Sequence, residues 1–513
     1  MTAVSTRVPN SIVPIEARPQ LRASIACAVA CMLAAATCVA QTSNCGNAPP
    51  MPSIPARAKT FIRPAGTEND VARTTAAIQG ALNALTPGDW LIFPPGLYRI
   101  NQHLSIDKAG VTLYGKDATL RSENATDGAL LVRADDVHVY SFTLDQASTS
   151  RQGAAWAGGI SIFDDRGGGR RRVRGSVIQQ NTINNSSGSG ILAYKAADFT
   201  IADNKVWRSW SDGIHMTQGA INGIVVRNTV AQTGDDMIAV VSYAARGKTG
   251  TAASMYTDWV GLQDQLSRQI YIANNQVSDE YWGRGITVVG GSDVTIEKNS
   301  ISRIPGTAGI YVTRETQYMT FGADNILIRG NQLSRIQTDA PTYKPANINI
   351  VVSGHGAIEL GTTLFDDEVT NPTWRTAFSI SNVAILDNTV DNAKYSAIRI
   401  GQGTNATIQS TDAGGGTFER STLTGPVNNI VVSGNVFSNV KGPNPVEIRP
   451  GPITAIACSD NVINGTTFKS TCSNALAAAT RVASVSGANV QCKADGSLVK
   501  GVVPKPPVLM TPG

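Results

Sequence analysis

A short phrase recurs through the middle of the chain: apolar, any residue, apolar, two spacers, asparagine, any residue, apolar. It reads FTIADNKV, IVVRNTV, IYIANNQV, VTIEKNSI, ILIRGNQL, VAILDNTV and IVVSGNVF. Its asparagines are Asn204, Asn228, Asn275, Asn299, Asn331, Asn388 and Asn435, and Asn181 and Asn461 extend the series. The shortest gaps are 23 and 24 residues, and longer gaps imply inserted loops. A second phrase interleaves with the first, a small or apolar residue followed by Ile and an alternating run. It reads GILAY at 190, GIHMT at 213, MIAVV at 237, GITVV at 285, GIYVT at 309, AIELG at 357 and AIRIG at 397.

Each period therefore holds at least two short strands separated by turns. One such pair cannot bury its inner face alone. Stacking successive turns of chain about 4.8 Å apart buries it against neighbours. The expected fold is all-β, a single right-handed parallel β-helix. The recurrent Asn would sit at a bend, its amide hydrogen-bonding along the axis. The Leu-x-x-Leu-x-Leu phrase of a leucine-rich horseshoe is missing, and the pattern lacks the antiparallel hairpins of a propeller. Ahead of the repeats, Val71, Ile78, Leu82 and Leu85 have helical spacing. An amphipathic helix there would cap the open end and cover its sheet edges.

Composition narrows the class. The chain has 513 residues, 42% hydrophobic and 16% charged, with 49 glycines. That is enough apolar material for a large core and excludes general disorder. The formal charge of +5 is too weak to indicate a nucleic-acid partner. Arg18 and Arg22 precede the apolar run Ala23–Ala36, and Cys38 and Ala40 suit a cut after Ala40. This reads as an export signal, too short to span a bilayer. The expected divisions are a signal peptide over 1–40, an extension over 41–68, the β-helix over 69–465, and a C-terminal cap with a Pro-rich tail over 466–513. No later segment supplies about 18 uninterrupted apolar residues, so no membrane span is expected. The expectation is a secreted or periplasmic monomer. Of seven cysteines, Cys45, Cys458, Cys472 and Cys492 remain after cleavage. In an oxidising compartment they permit three pairings, and spacing favours a link among the last three. A zinc site is disfavoured, because there is no CxxC and only 4 His.

Candidate chemistry follows from aligning the second phrase by its Ile. The residues two before that Ile then stack as Ser189, Asp212, Asp236, Arg284, Ala308, Gly356 and Ser396. Asp235 adjoins Asp236, so three carboxylates share one edge on adjacent coils. The positions one past the Ile are His215, Ala239, Thr287, Tyr311, Glu359 and Arg399, expected to face outward. Close carboxylates raise at least one pKa, which general acid/base catalysis needs. A glycosidase requires one protonated and one ionised carboxyl at the scissile bond. An Asp before Gly is also a common turn residue, and the stacking in register is what favours chemistry over that alternative.

The stretch TTAAIQGALNAL…PGDWLIFPPGLYRI resembles the N-terminal part of the pectate-lyase-like superfamily of β-helical polysaccharide enzymes. Within it, Ser211-Asp212-Gly213-Ile214 and Gly234-Asp235-Asp236-Met237 resemble the polygalacturonase-type glycoside hydrolases of family 28. Gly283-Arg284-Gly285 stands where that family has Gly-His-Gly. Its Arg-Ile-Lys element is absent, with Arg314 nearby in another register. The resemblance implies Asp235 as general acid, with Asp212 and Asp236 activating water for an inverting displacement. It implies a polysaccharide or oligosaccharide partner, anionic glycans included, although the lost Arg-Lys pair argues against simple polygalacturonate. His215, Arg284, Tyr311, Arg314, Glu359 and Arg399 are the candidate substrate-binding residues. No cofactor or metal is expected for a hydrolase. A lyase or uronate epimerase would instead use calcium and a base near Arg284, and a non-catalytic carbohydrate-binding β-helix is the third reading.

Overall fold

The structure is a computed structural model. It describes residues 50–166, 171–245, 251–402, 406–411 and 417–468, with two short strands at Gln491–Cys492 and Leu498–Val499. Each turn of chain gives one strand to each of three parallel sheets, of 14, 13 and 11 strands. The sheets wrap into a right-handed β-helix, the hand that parallel crossovers favour. Registers agree with the sequence alignment: Ile160, Ile191, Ile214, Ile238, Ile286, Ile310, Ile358 and Ile398 pair in succession on the 11-stranded sheet. All eight are fully buried and belong to one continuous core. We call this the floor sheet.

The asparagines form a ladder at the bend between the other two sheets. From Asn181 to Asn461, each side-chain amide donates to the Oδ1 of the next coil's Asn at 2.9–3.1 Å. Each backbone N–H donates to the same oxygen, for example Asn204 to Asn228 at 3.0 Å. The ladder pins a costly bend. The preceding residue is left-handed even where it carries a side chain, as at Arg227 (φ 54°) and Lys298 (φ 54°).

The helix Val71–Asn83 begins at Asp70, whose carboxylate accepts from Arg73 N at 3.0 Å. Its Ile78 and Leu82 join the main core. Gln79 bonds the backbone N–H and C=O of Ser105, both at 2.9 Å. Ser105 lies in Leu104–Ile106, the terminal strand of the floor sheet, so one side chain satisfies an otherwise open edge. Near the other end, Cys458 is disulfide-bonded. Cys45, Cys472, the side chain of Cys492 and the expected signal over 1–40 lie outside the described residues. Among the described residues, no helix is long and apolar enough to cross a membrane.

Candidate active site

Asp212, Asp236 and Arg284 each lie two residues before a floor-sheet Ile. Backbone bonds fix that stacking: Gly213 N donates to Asp236 O at 3.0 Å, and Met237 N to Arg284 O at 2.9 Å. One oxygen from each of Asp212, Asp235 and Asp236 lies within 4.8 Å of the others.

The three carboxyls sit in unlike surroundings. Asp212 is 5% exposed, and its Oδ2 accepts from His215 Nδ1 at 2.8 Å, Ser211 Oγ at 3.0 Å and Ser189 Oγ at 3.4 Å. Burial opposes its charge, yet His215, Arg151 and the Ser211 hydroxyl outweigh it and hold the carboxyl well below its usual range. Burial likewise works against a charged His215, and Asp212, Asp235 and Asp236 together raise it. Asp236 is also buried. Its Oδ1 accepts from Arg284 N at 3.0 Å, and Oδ2 from Thr287 Oγ1 at 2.9 Å. Burial pushes it up to about 7; Arg284, 3.2 Å away, opposes this, and Asp235, Asp212 and Glu315 add to it. Asp235 is the most open of the three, with a side chain 24% exposed. Its Oδ2 pairs with Arg151 at 2.6 Å and its Oδ1 accepts from Asp236 N at 3.0 Å.

Asp236 is thus the carboxyl that burial and its neighbours push up, while Asp235 is held in an ion pair with Arg151. Sequence reasoning missed Arg151, which comes from the long connection between Thr143–Gln146 and Ile160–Ile162, outside the repeat. It also missed Glu280 and Glu315. Glu280 is fully buried, with both oxygens lacking a well-formed hydrogen bond. Burial, then Asp236 and Asp235, push its carboxyl well up, and the Trp282 backbone N–H gives only weak relief. The turn from Ser278 to Ile286 is one residue longer than its predecessor from Ala231 to Ile238, a signal that could have flagged it.

The remaining candidates divide. His215 and Arg284 are in the cluster. Arg284 also pairs with Glu315 and lies 5.0 Å over the Tyr311 ring, which makes a T-shaped contact with the His355 imidazole at 5.0 Å. Glu359 and Arg399 occupy the expected ladder beyond Tyr311 but are not open to solvent, being 6% and 5% exposed. They pair with each other at 3.4 Å, and Arg399 pairs with Glu447 at 2.8 Å. Burial raises Glu359 to about 7 against the pull of the Gly356 N–H and Arg399.

Arg314 is corrected outright: it is buried in an ion pair and is not open to a substrate. Its side chain and that of Glu368 are both fully buried, joined by bonds of 2.6 and 2.8 Å. Glu368 belongs to the short helix Asp366–Val369. The pair sits in a second apolar cluster built by the insertions, with Tyr256, Phe365 and Phe378 around it. Arg171, Arg172 and Arg174 are engaged too, with Asp135, Asp264 and Asp198 respectively.

Each cluster acid is partnered by a basic side chain: Asp212 by His215, Asp235 by Arg151 and Asp236 by Arg284.

Comparison with known proteins agrees with the architecture. The family described as right handed beta helix region matches residues 124–333. No curated protein matches the chain in sequence. Among solved structures, the catalytic unit of a thermostable GH87 alpha-1,3-glucanase from Streptomyces thermodiastaticus is similar at 21% identity and TM-score 0.51, over 81% of this chain and 65% of that one. The catalytic domain of a GH87 alpha-1,3-glucanase variant in complex with tetrasaccharides is similar at 14% identity and TM-score 0.50, over 81% of this chain and 70% of that one. A mannuronan C-5 epimerase A-module from Azotobacter vinelandii is similar at 14% identity and TM-score 0.47, over 76% and 94%. What this chain shares with the two glucanases is the right-handed parallel β-helix.

Proposed function

We propose that the protein is an exported polysaccharide-degrading enzyme, a glycoside hydrolase whose acid/base machinery is Asp212, Asp235 and Asp236. One observation carries this reading. Three carboxyls from successive coils meet within 4.8 Å, and their surroundings push Asp212 down and Asp236 up. Titratable groups driven apart in this way mark acid/base roles.

Asp212 and Asp236 form a buried dyad that shares one proton near neutrality and holds the attacking water. The three donors to Asp212 converge on Oδ2, which leaves Oδ1 to take the water's proton. Asp235, the exposed member, donates to the leaving oxygen. Arg151 is itself 43% exposed, so an entering glycan can displace it from Asp235. Water attacks directly, and the first-formed anomer, read by NMR, is expected to be inverted. Retention would point to a carboxylate nucleophile, the outcome that close carboxyls favour in two-acid sites. The lyase reading needs a base that can shed its proton. Arg284 cannot serve, because Asp236 and Glu315 hold it charged against the effect of burial.

The dyad sets a pH window. A group raised above its ordinary range keeps its proton below the raised value, so turnover should fall as pH rises through about 7. Thr287→Val removes a donor to the ionised form of Asp236 and should move that falling limb to higher pH. A limb that does not move would separate Asp236 from the titration.

Chelation should leave turnover intact, because protein cations already neutralise the acids. Loss with EDTA and recovery with calcium would favour the lyase. The function itself is tested by reducing-end release across plant and bacterial polysaccharides, with ultraviolet absorbance followed in parallel. Release without absorbance supports hydrolysis, and an absorbing unsaturated product overturns it.

A further inference from the structure

Three of the chain's 7 tryptophans occupy one repeat position. Trp156, Trp210 and Trp282 each lie four residues before a floor-sheet Ile, at Ile160, Ile214 and Ile286. Those isoleucines belong to the first, third and fifth of five consecutive coils. The intervening coils have small residues there, Ser187 and Gly234. A Cβ at Gly234 would meet Trp210 O and the Tyr281 hydroxyl, each at 2.6 Å, so the small residue is required by close packing. Asp212 and Asp236 stand two residues further along their coils, between the outer tryptophans.

The exposure of these rings has no structural explanation. Trp282 is 58% exposed and Trp156 43%, although large aromatics usually bury most of their surface. Trp210 is half-buried, and its indole N–H donates to Asn185 Oδ1 at 3.2 Å, which fixes the ring.

We infer that Trp156, Trp210 and Trp282 form a stacking ledge for pyranose rings, along which a glycan lies parallel to the helix axis across the carboxylate cluster. The apolar C–H faces of sugar rings match exposed indoles, while the sugar hydroxyls remain free for the polar floor. From the first to the fifth coil the span is ~19 Å at a rise of about 4.8 Å per coil. A pyranose in an extended glycan advances by a similar rise. The ledge therefore suits a chain of about four sugars or more, held on both sides of the cleavage point. This inference rests on the proposed hydrolase function, which it deepens by selecting chain length and an internal bond.

The test uses Trp156→Ala, Trp282→Ala and the double variant, with Trp→Phe at both positions as a conservative control. Both rings are exposed, so the melting temperature should hold. The probes are α-1,3-glucan and galacturonan oligosaccharides, as disaccharide and hexasaccharide. Each Ala variant should raise KM for the cleaved hexasaccharide about fivefold to tenfold, with Phe restoring most of the loss. Tryptophan quenching by the hexasaccharide should fall sharply in the double variant, to the part that Trp210 alone supplies. An unchanged hexasaccharide KM in a wild-type-active background overturns the ledge, as does glycan binding at wild-type affinity in the double variant. Failure of every probe to bind overturns it too. Tryptophan-dependent binding without turnover by the wild-type protein would uphold the ledge and overturn the hydrolase reading.

Discussion

Asp235→Asn is expected to lower turnover on the natural glycan at least about a hundredfold, with little change in folding or substrate binding. The substitution keeps the shape of the side chain and removes the proton donor. Asp235 is the most open of the three carboxyls, while Asp212 and Asp236 are buried. A substrate with a good leaving group needs less acid assistance, so its turnover should recover in part. Asp212→Asn removes the ionised member of the water-holding dyad and should show no such recovery. Near-normal turnover by Asp235→Asn, with activity abolished by Arg284→Ala, would instead place the chemistry around Arg284.

Glu368→Leu is expected to destabilise the protein by about 3–5 kcal/mol, because it leaves Arg314 charged and unpaired in an apolar cluster. Arg314 also donates through Nε to Thr320 O at 2.9 Å and lies 3.9 Å over the Phe378 ring, and Tyr256 donates to Glu368 at 2.6 Å. Adding Arg314→Met to Glu368→Leu should recover much of the loss, since an apolar pair of similar volume avoids the buried charge. Urea denaturation measures both. Turnover per folded molecule should change little, whereas a substrate-binding role for Arg314 would raise KM.

The repeat made most of the fold legible. A period fixed by Asn and Ile sets both the strands and the register between coils, so the stacking of Asp212, Asp236 and Arg284 could be read before any coordinates. Parallel in-register pairing carries sequence spacing directly into space, which few folds do. Insertions break that rule. Arg151 reaches Asp235 from a connection with no periodicity, and nothing in its sequence marks the contact. Arg314 and Glu368 pair across 54 residues, between two insertions, where a buried salt bridge looks the same in sequence as a solvated one. Glu359 and Arg399 point away from the core as the alternation predicts, yet they are closed off from solvent for a related reason. Alternation specifies which way a strand residue points but not whether a loop covers it. Arg399 is closed over by the connection that supplies Gly354 and His355, and it donates to Gly354 O. Proton location was also beyond spacing, because it depends on which acid meets which cation.

The most direct test of the account is cleavage in heavy-oxygen water followed by mass spectrometry of the products. Hydrolysis by a water held between Asp212 and Asp236 predicts one heavy oxygen at each new reducing end and no unsaturated sugar. Products without the label, carrying a double bond at the new non-reducing end, would contradict the account and assign the cleft to elimination.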